Sequence, residues 1–448
     1  MLIPVRELEA KREAPERARE LAPARERRLS QVLVAYISVG LFFMLLPGTF
    51  LGLWNLLEIS SRRSVETVSP AWIQAHGHAQ VFGWIGSFIL GIGYYSIPKL
   101  RRMKPFALWA PWTSLGMWSS GVALRWVAGV YEWHWRTLLP LSAGLELAAF
   151  LVFLPVVASH RRLPSDPGRA KLDEWIWVVV TGSIGWLGAL AINLFAAVSL
   201  AWQAESPILP HAFDQRLLVL ETWGCLVPFI WGFSAKWLPI FLGLRALRSR
   251  QLLWAAALNS LGVAAALLGL FLTSSLLLLA ALQTAVGALR LFEESERKPK
   301  VKGVHASFPV FVRLAYAWAW LSSVLAILAS ATANSAGIWG ASRHALTVGF
   351  IALMVFSIGQ RVLPAFSGMR RLFSTRLMFA ALALLSIGCL LRVNSEALAY
   401  QGLANFAWKW LPVSTILEMT AVAIFALNLA ITFGRKKGGA ELQDQNPA

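Results

Sequence analysis

Set side by side, HGHAQVFGWIGSFILGIGYYSIP at 76–98 and SRHALTVGFIALMVFSIGQRVLP at 342–364 decide the fold. Aligned on His78 and His344, each continues with alanine. Glycine follows at +5 (Gly83, Gly349), isoleucine-glycine at +14 and +15 (Ile92-Gly93, Ile358-Gly359), and proline at +20 (Pro98, Pro364). Both stretches are apolar over about the 20 residues that carry a helix across a bilayer core. A spacing shared by two distant spans is an internal repeat, and it sets the register for everything else.

The next apolar runs keep that register. Gly121 with Arg125 answers Gly388 with Arg392, and then Pro140, Ser142 and Leu145-Glu146 answer Pro412, Ser414 and Leu417-Glu418. A fainter middle copy holds Gly224 and Pro239 at the same 15-residue spacing, with Val219 at the histidine position and Ala266 at the arginine position. In that copy Leu282-Gln283 answers the Leu-Glu pairs. The expectation is an all-α polytopic membrane protein of twelve transmembrane helices in three pseudo-symmetric four-helix units, at about 31–160, 172–292 and 308–434. Four spans return the chain to its starting side, so the units are parallel repeats about an axis along the membrane normal. A charged tail at 1–30 precedes this membrane domain at 31–434, and a short tail at 435–448 follows it.

Composition agrees. The 448 residues are 57% hydrophobic and only 14% charged, where a soluble domain carries about 25% charged residues. The net charge of +18 lies in short loops rather than on one solvated face, which argues against nucleic acid as a partner. The partner is the lipid bilayer. With twelve spans, 30 Lys and Arg fall on the side of the N-terminus and 6 on the other, so both termini are expected in the cytoplasm. The first 30 residues mix eight Lys/Arg with six Glu and read as a solvated tail rather than a signal peptide. Cys225 and Cys389 sit singly in different apolar runs, so neither a disulfide framework nor a thiolate cluster is expected and any metal rests on histidine.

Ionisable groups within spans cost about 2.5 to 3.5 kcal/mol each on insertion scales and mark polar interiors. Here they are Arg125, Glu146, Glu221, Lys236, Arg361, Arg392 and Glu418. The topology places His76, His78 and His344 at the outer starts of inward-running spans, and Arg125 and Arg392 near the outer ends of outward-running ones. Glu146 comes six residues after Pro140, about 9 Å into its helix. Paired histidines, arginines and glutamates at one depth suit haem binding: two imidazoles fill both axial positions of one iron and the arginines pair with the propionates. Structural ion pairs between repeats are the plainer reading of the Arg and Glu residues. His76 and His78 point about 200° apart on a regular helix and cannot share an iron unless the first turn unwinds. The repeat selects His78, which leaves His76 for a second metal, a hydrogen bond or the interface. Gly83 and Gly349 leave room for a flat macrocycle or another helix. His134 and His211 lie in outer loops and are candidate copper ligands, whereas His160 and His305 lie in inner loops.

These residues resemble the NnrS family, membrane haem-copper proteins associated with the bacterial response to nitric oxide. RHALTVG at 343–349, with Arg361 beyond it, and HGHAQVFGW at 76–84 carry the resemblance. The chain has His78-Ala79-Gln80 where the family usually continues His-Glu-Met, and Ala365-Phe366-Ser367-Gly368 in place of Gly-His-Thr-Gly. More distantly the chain is similar to the large subunit of haem-copper oxidases and nitric oxide reductases, which implies a haem-copper-oxidase-like fold with a low-spin haem held from spans 2 and 10. Ser342 stands where that superfamily has its high-spin haem ligand, and spans 6 and 7 have no histidine within the membrane, so the binuclear centre is absent.

The resemblance implies a bis-histidine haem of the b type, with copper as a second candidate cofactor, in the bacterial cytoplasmic membrane. Nitric oxide and a quinol or cytochrome electron donor are the implied partners, in nitrosative-stress tolerance. Two other functions fit the residues: an electron-relaying membrane oxidoreductase, and a cofactor-free transporter whose paired Arg and Glu line a path between repeats.

Overall fold

The computed structural model describes residues 5–101, 103, 106–158, 173–332, 335–368 and 371–435, with backbone alone over 5–23. His160, the basic loop at 161–171, Arg102, Lys104, Arg370 and the tail from 436 lie outside the described residues. The charged N-terminal segment is helical from Val5 and runs without a break into the first apolar helix.

Long helices make up the described chain. In order they are α1 (Ala24–Arg62), α2 (Pro70–Leu100), α3 (Trp109–Val130), α4 (Trp135–Ala158), α5 (Glu174–Gln203) and α6 (His211–Leu242), then α7 (Ser249–Leu267), α8 (Phe271–Leu289), α9 (Phe308–Ala331), α10 (Ala336–Phe366), α11 (Thr375–Tyr400) and α12 (Ala407–Gly434). Ten are long and apolar enough to cross a membrane; α3 and α7 fall short on composition. Large apolar side chains such as Phe195, Trp202, Trp254 and Leu268 cover the outside, as a lipid-facing surface requires. α2, α6 and α10 are the most enclosed, and the other helices wrap around them.

The helices pack by a pattern that recurs. α3 pairs with α4, α7 with α8, and α11 with α12; α4 passes to α5, α8 to α9, and α12 back to α1, so the ring closes. α1 and α2, α5 and α6, and α9 and α10 each cross at a glycine. A methyl group on Gly83 would meet Phe43 of α1 at 2.7 Å, one on Gly349 would meet Trp318 of α9 at 2.6 Å, and Gly185 of α5 lies against the Gly224 carbonyl of α6.

The backbone marks the same register. α2, α6 and α10 each widen into a π-helical stretch, Ala79–Gly86, Leu220–Leu226 and Ala345–Ala352, beginning one residue after His78, Val219 and His344. A π turn frees carbonyls from the helical ladder, and such turns gather at functional sites. Two freed carbonyls at equivalent positions find donors on the neighbouring helix: Trp118 Nε1 donates to Phe82 O at 3.1 Å and Asn259 Nδ2 to Trp223 O at 2.7 Å. The equivalent residue on α11 is Leu385, which carries no donor. A further π stretch, Met44–Phe50 in α1, contains Pro47, whose ring nitrogen cannot donate to the ladder.

Candidate functional site

Where α2, α6 and α10 begin, a cavity of about 290 Å³ opens, lined by His76, His78, Arg125, Asp214, Glu221, Arg343, His344, Arg392 and Glu418 among apolar side chains. A buried collection of this many charges is costly unless the groups pair or meet a ligand. Seven of these nine polar groups come from the two repeats that share histidine, arginine and glutamate; Asp214 and Glu221 come from the middle one.

The first half-site is built on α2, α3 and α4. His78 is buried, stacks on Phe82 with ring centroids 4.4 Å apart, and has Nε2 2.8 Å from Glu146 Oε1. Glu146 is held there by packing, because its Cγ rests where a side chain on Gly121 would sit, 2.7 Å from that missing methyl. Arg125 is one helical turn beyond Gly121 and lines the cavity with Nη1 buried and without an acceptor.

The two histidines of α2 differ in how their rings are tied. His76 Nδ1 lies 2.9 Å from the carbonyl of Gly48, in the π stretch of α1, and the ring packs against Gly52. Donation from Nδ1 to a backbone carbonyl fixes the tautomer with the lone pair on Nε2, the posture of a metal-binding imidazole. His76 lines the same cavity as His344 and Arg392 of the third repeat. His78 instead donates from Nε2 to Glu146, leaving its lone pair on Nδ1.

The second half-site is built on α10, α11 and α12. Glu418 packs on Gly388 as Glu146 packs on Gly121, at 2.8 Å from the missing methyl, yet His344 turns elsewhere. Its Nδ1 lies 2.8 Å from Glu396 Oε2 and 3.0 Å from the Gly340 carbonyl, and Arg392 Nη2 donates to its Nε2 at 3.3 Å. Arg392 also approaches Glu396 at 3.5 Å, while its Nη1 and Glu418 Oε1 are buried without partners. Glu396 is a functional candidate that the repeat did not disclose, because the matching position in the first repeat is Gly129. The Arg392-to-Glu396 spacing of four is the signal that would have found it.

Other candidates fall away from the cavity. Gly83 and Gly349 receive Phe43 and Trp318, so a neighbouring helix fills the space they leave. Arg361 sits at the far end of α10, donating to the Lys302 carbonyl and lying over Phe241. Lys236 reaches Asp173 at 3.7 Å, well removed from Glu221 in the cavity. His134 lies beside Trp133, His211 opens α6 and is exposed, and His305 bonds Ser307 at 2.7 Å. In the middle repeat Gly262 faces Leu278, which precedes Gln283 by more than a turn, so an apolar residue stands where the other repeats have glutamate. Among the described residues no group of three or more His, Cys, Asp or Glu stands close enough to hold a metal ion on its own.

The profile of the NnrS protein family matches residues 30–437. The chain belongs to the NnrS family. No curated protein matches this NnrS chain. Among solved structures it resembles a heme-copper terminal oxidase, described from a dimer studied by cryo-EM, with a TM-score of 0.52 and 13% identity over 91% of this chain and 84% of that one. At that identity the likeness speaks for the fold: this NnrS protein is an all-helical membrane protein of haem-copper-oxidase-like architecture.

Proposed function

We propose that this NnrS chain is a twelve-span protein of the bacterial cytoplasmic membrane, with both termini inside and the cavity at the outer face, that binds one b-type haem between α2 and α10. The observation that carries the reading is the pair of imidazoles, His76 and His344, each tied through Nδ1 and lining one shared cavity; Arg392, which donates to His344 Nε2, would turn from it to a propionate when haem binds. The register of the repeat favours His78 as partner of His344, but its Nε2 is engaged by Glu146, which makes His76 the better oriented ligand. The donor set fits the group in two further respects. Arg125 and Arg392 hold buried N–H groups without acceptors, the chemistry that propionates satisfy. Trp84, Leu226 and Ile351 supply apolar walls. Cys225 and Cys389 stand alone, so the haem is held without thioether bonds.

When bound, the haem supplies a one-electron redox couple. Around it, Glu396 and the Gly340 carbonyl orient His344 and raise its basicity, and the Gly48 carbonyl does the same for His76. Arg125 and Arg392 hold negative charge at the outer end, and Glu146 keeps His78 buried and tied. The proposed role is nitric oxide or nitrosative-stress tolerance, with electrons from a quinol or cytochrome. Purified protein produced with an adequate haem supply should show a Soret band and sharp low-spin bands at about one haem per chain. Protein that folds and stays colourless would leave the cavity to a cofactor-free transport role.

A further inference from the structure

Directly beneath the polar cavity lies a second one, of about 100 Å³, and its lining follows the repeat residue by residue. Ile85, Leu226 and Ile351 border both cavities, and they are the residues at +7 from His78, Val219 and His344. Further down, Ile92, Phe233 and Ile358 form an equivalent layer at +14. The chamber thus lies at the centre of α2, α6 and α10, walled by three helices in the same register. Its hydroxyl, on Ser234, is used by Tyr316 at 3.1 Å. At the far end Phe233 stacks on Trp237, Trp237 meets Phe366, and Phe366 meets Tyr95, a run of aromatic contacts across α6, α10 and α2.

We propose that this central chamber is a binding site for a small, uncharged, apolar molecule of two or three atoms, separated from the polar cavity by the single layer of Ile85, Leu226 and Ile351. Beyond the Ser234 hydroxyl, already paired with Tyr316, the lining is apolar; water needs two to four polar partners, so the chamber stays dry, as apolar cavities of about 150 Å³ do while taking up xenon. Ions are excluded on the same ground. Ile85, Leu226 and Ile351 are buried, and packed core side chains still hop between rotamers, so a diatomic gas in the chamber stands one side-chain layer from His344 and the arginines. The assignment of the chamber stands without the haem; only the subsequent use of the gas rests on the haem reading.

Xenon is the probe. Crystals of the full chain in lipid, pressurised with xenon, should show an anomalous peak between Ile89, Ile230 and Val355, with no acyl chain there in unpressurised protein. Val355→Phe and Ile92→Phe, on different helices and both away from the polar cavity, should each lower xenon occupancy at least five-fold. The absence of a xenon peak in the wild-type chamber, or a lipid chain already filling it, would overturn the proposal. So would undiminished occupancy in a folded filling variant.

Discussion

The first and third repeats share their packing and differ in their pairing. Gly121 with Glu146 and Gly388 with Glu418 repeat the same contact to within 0.1 Å. His78 nevertheless bonds the glutamate of its fourth helix, while His344 bonds the Gly340 carbonyl and lies at ion-pair distance, 2.8 Å, from Glu396 of its third. A size exchange accounts for the difference. In the first repeat α2 carries Gln74 and α3 carries Gly129; at the matching positions α10 carries Gly340 and α11 carries Glu396. Gly129 admits Ala75 at 3.3 Å from a methyl it lacks, whereas the carboxylate of Glu396 lies directly over Gly340. The swap of small and large residues across one contact redirects the histidine, which shows that the repeat fixes backbone register and leaves side-chain partnership to single positions.

Breaking the third-repeat pairing should produce the largest effect. Glu396→Leu strands His344 and Arg392 in a buried site and should lower stability by about 3 to 5 kcal/mol, read as a fall in the thermal unfolding midpoint in detergent. Glu146→Leu serves as the matched control for His78.

The shared packing gives the next test. Gly121→Ala and Gly388→Ala each drive a methyl into a glutamate Cγ and a serine carbonyl at nearly equal distances, so each should cost about 1 to 3 kcal/mol. A difference between them above about 1 kcal/mol would mean that the two contacts are not equivalent.

The smallest effect sharpens the comparison chemically. Glu396→Gln removes charge beside a proposed iron ligand, whereas Glu146→Gln removes it beside a histidine whose ring is otherwise engaged. The haem midpoint potential, followed by redox titration, should rise in Glu396→Gln and move less in Glu146→Gln. Equal shifts would place both histidines in the same relation to the iron.

Much of the fold was legible because span length, apolar content and the spacing of Gly, Arg, Pro and Glu are properties of sequence alone. The repeat also located the three π stretches without revealing them. A wide turn carries no residue signature: Trp118 and Asn259 bond carbonyls in two of the stretches, yet α10 widens in the same way opposite Leu385, which has no donor. The site was legible in its membership of His78, Arg125, His344, Arg392 and Glu418 at one cavity. It was not legible at Glu396, where symmetry predicts the glycine found at 129, nor in the split between His76 and His78. That split depends on the Gly48 carbonyl in the π stretch of α1, about 30 residues away in sequence, which meets His76 Nδ1 at 2.9 Å. Glu221 and Asp214 belong to a repeat with neither histidine nor arginine at the shared positions, so the alignment gave no reason to place them at the cavity.

The central claim is that one haem is held by His76 and His344. It is tested most directly by the low-spin absorption and electron paramagnetic resonance spectra of three variants purified alongside the wild type. His344→Ala and His76→Ala should each abolish the low-spin signal while the protein stays folded, and His78→Ala should retain it with a small shift. Loss of the signal in His78→Ala with retention in His76→Ala would contradict the account and return the ligand to the position the repeat selects.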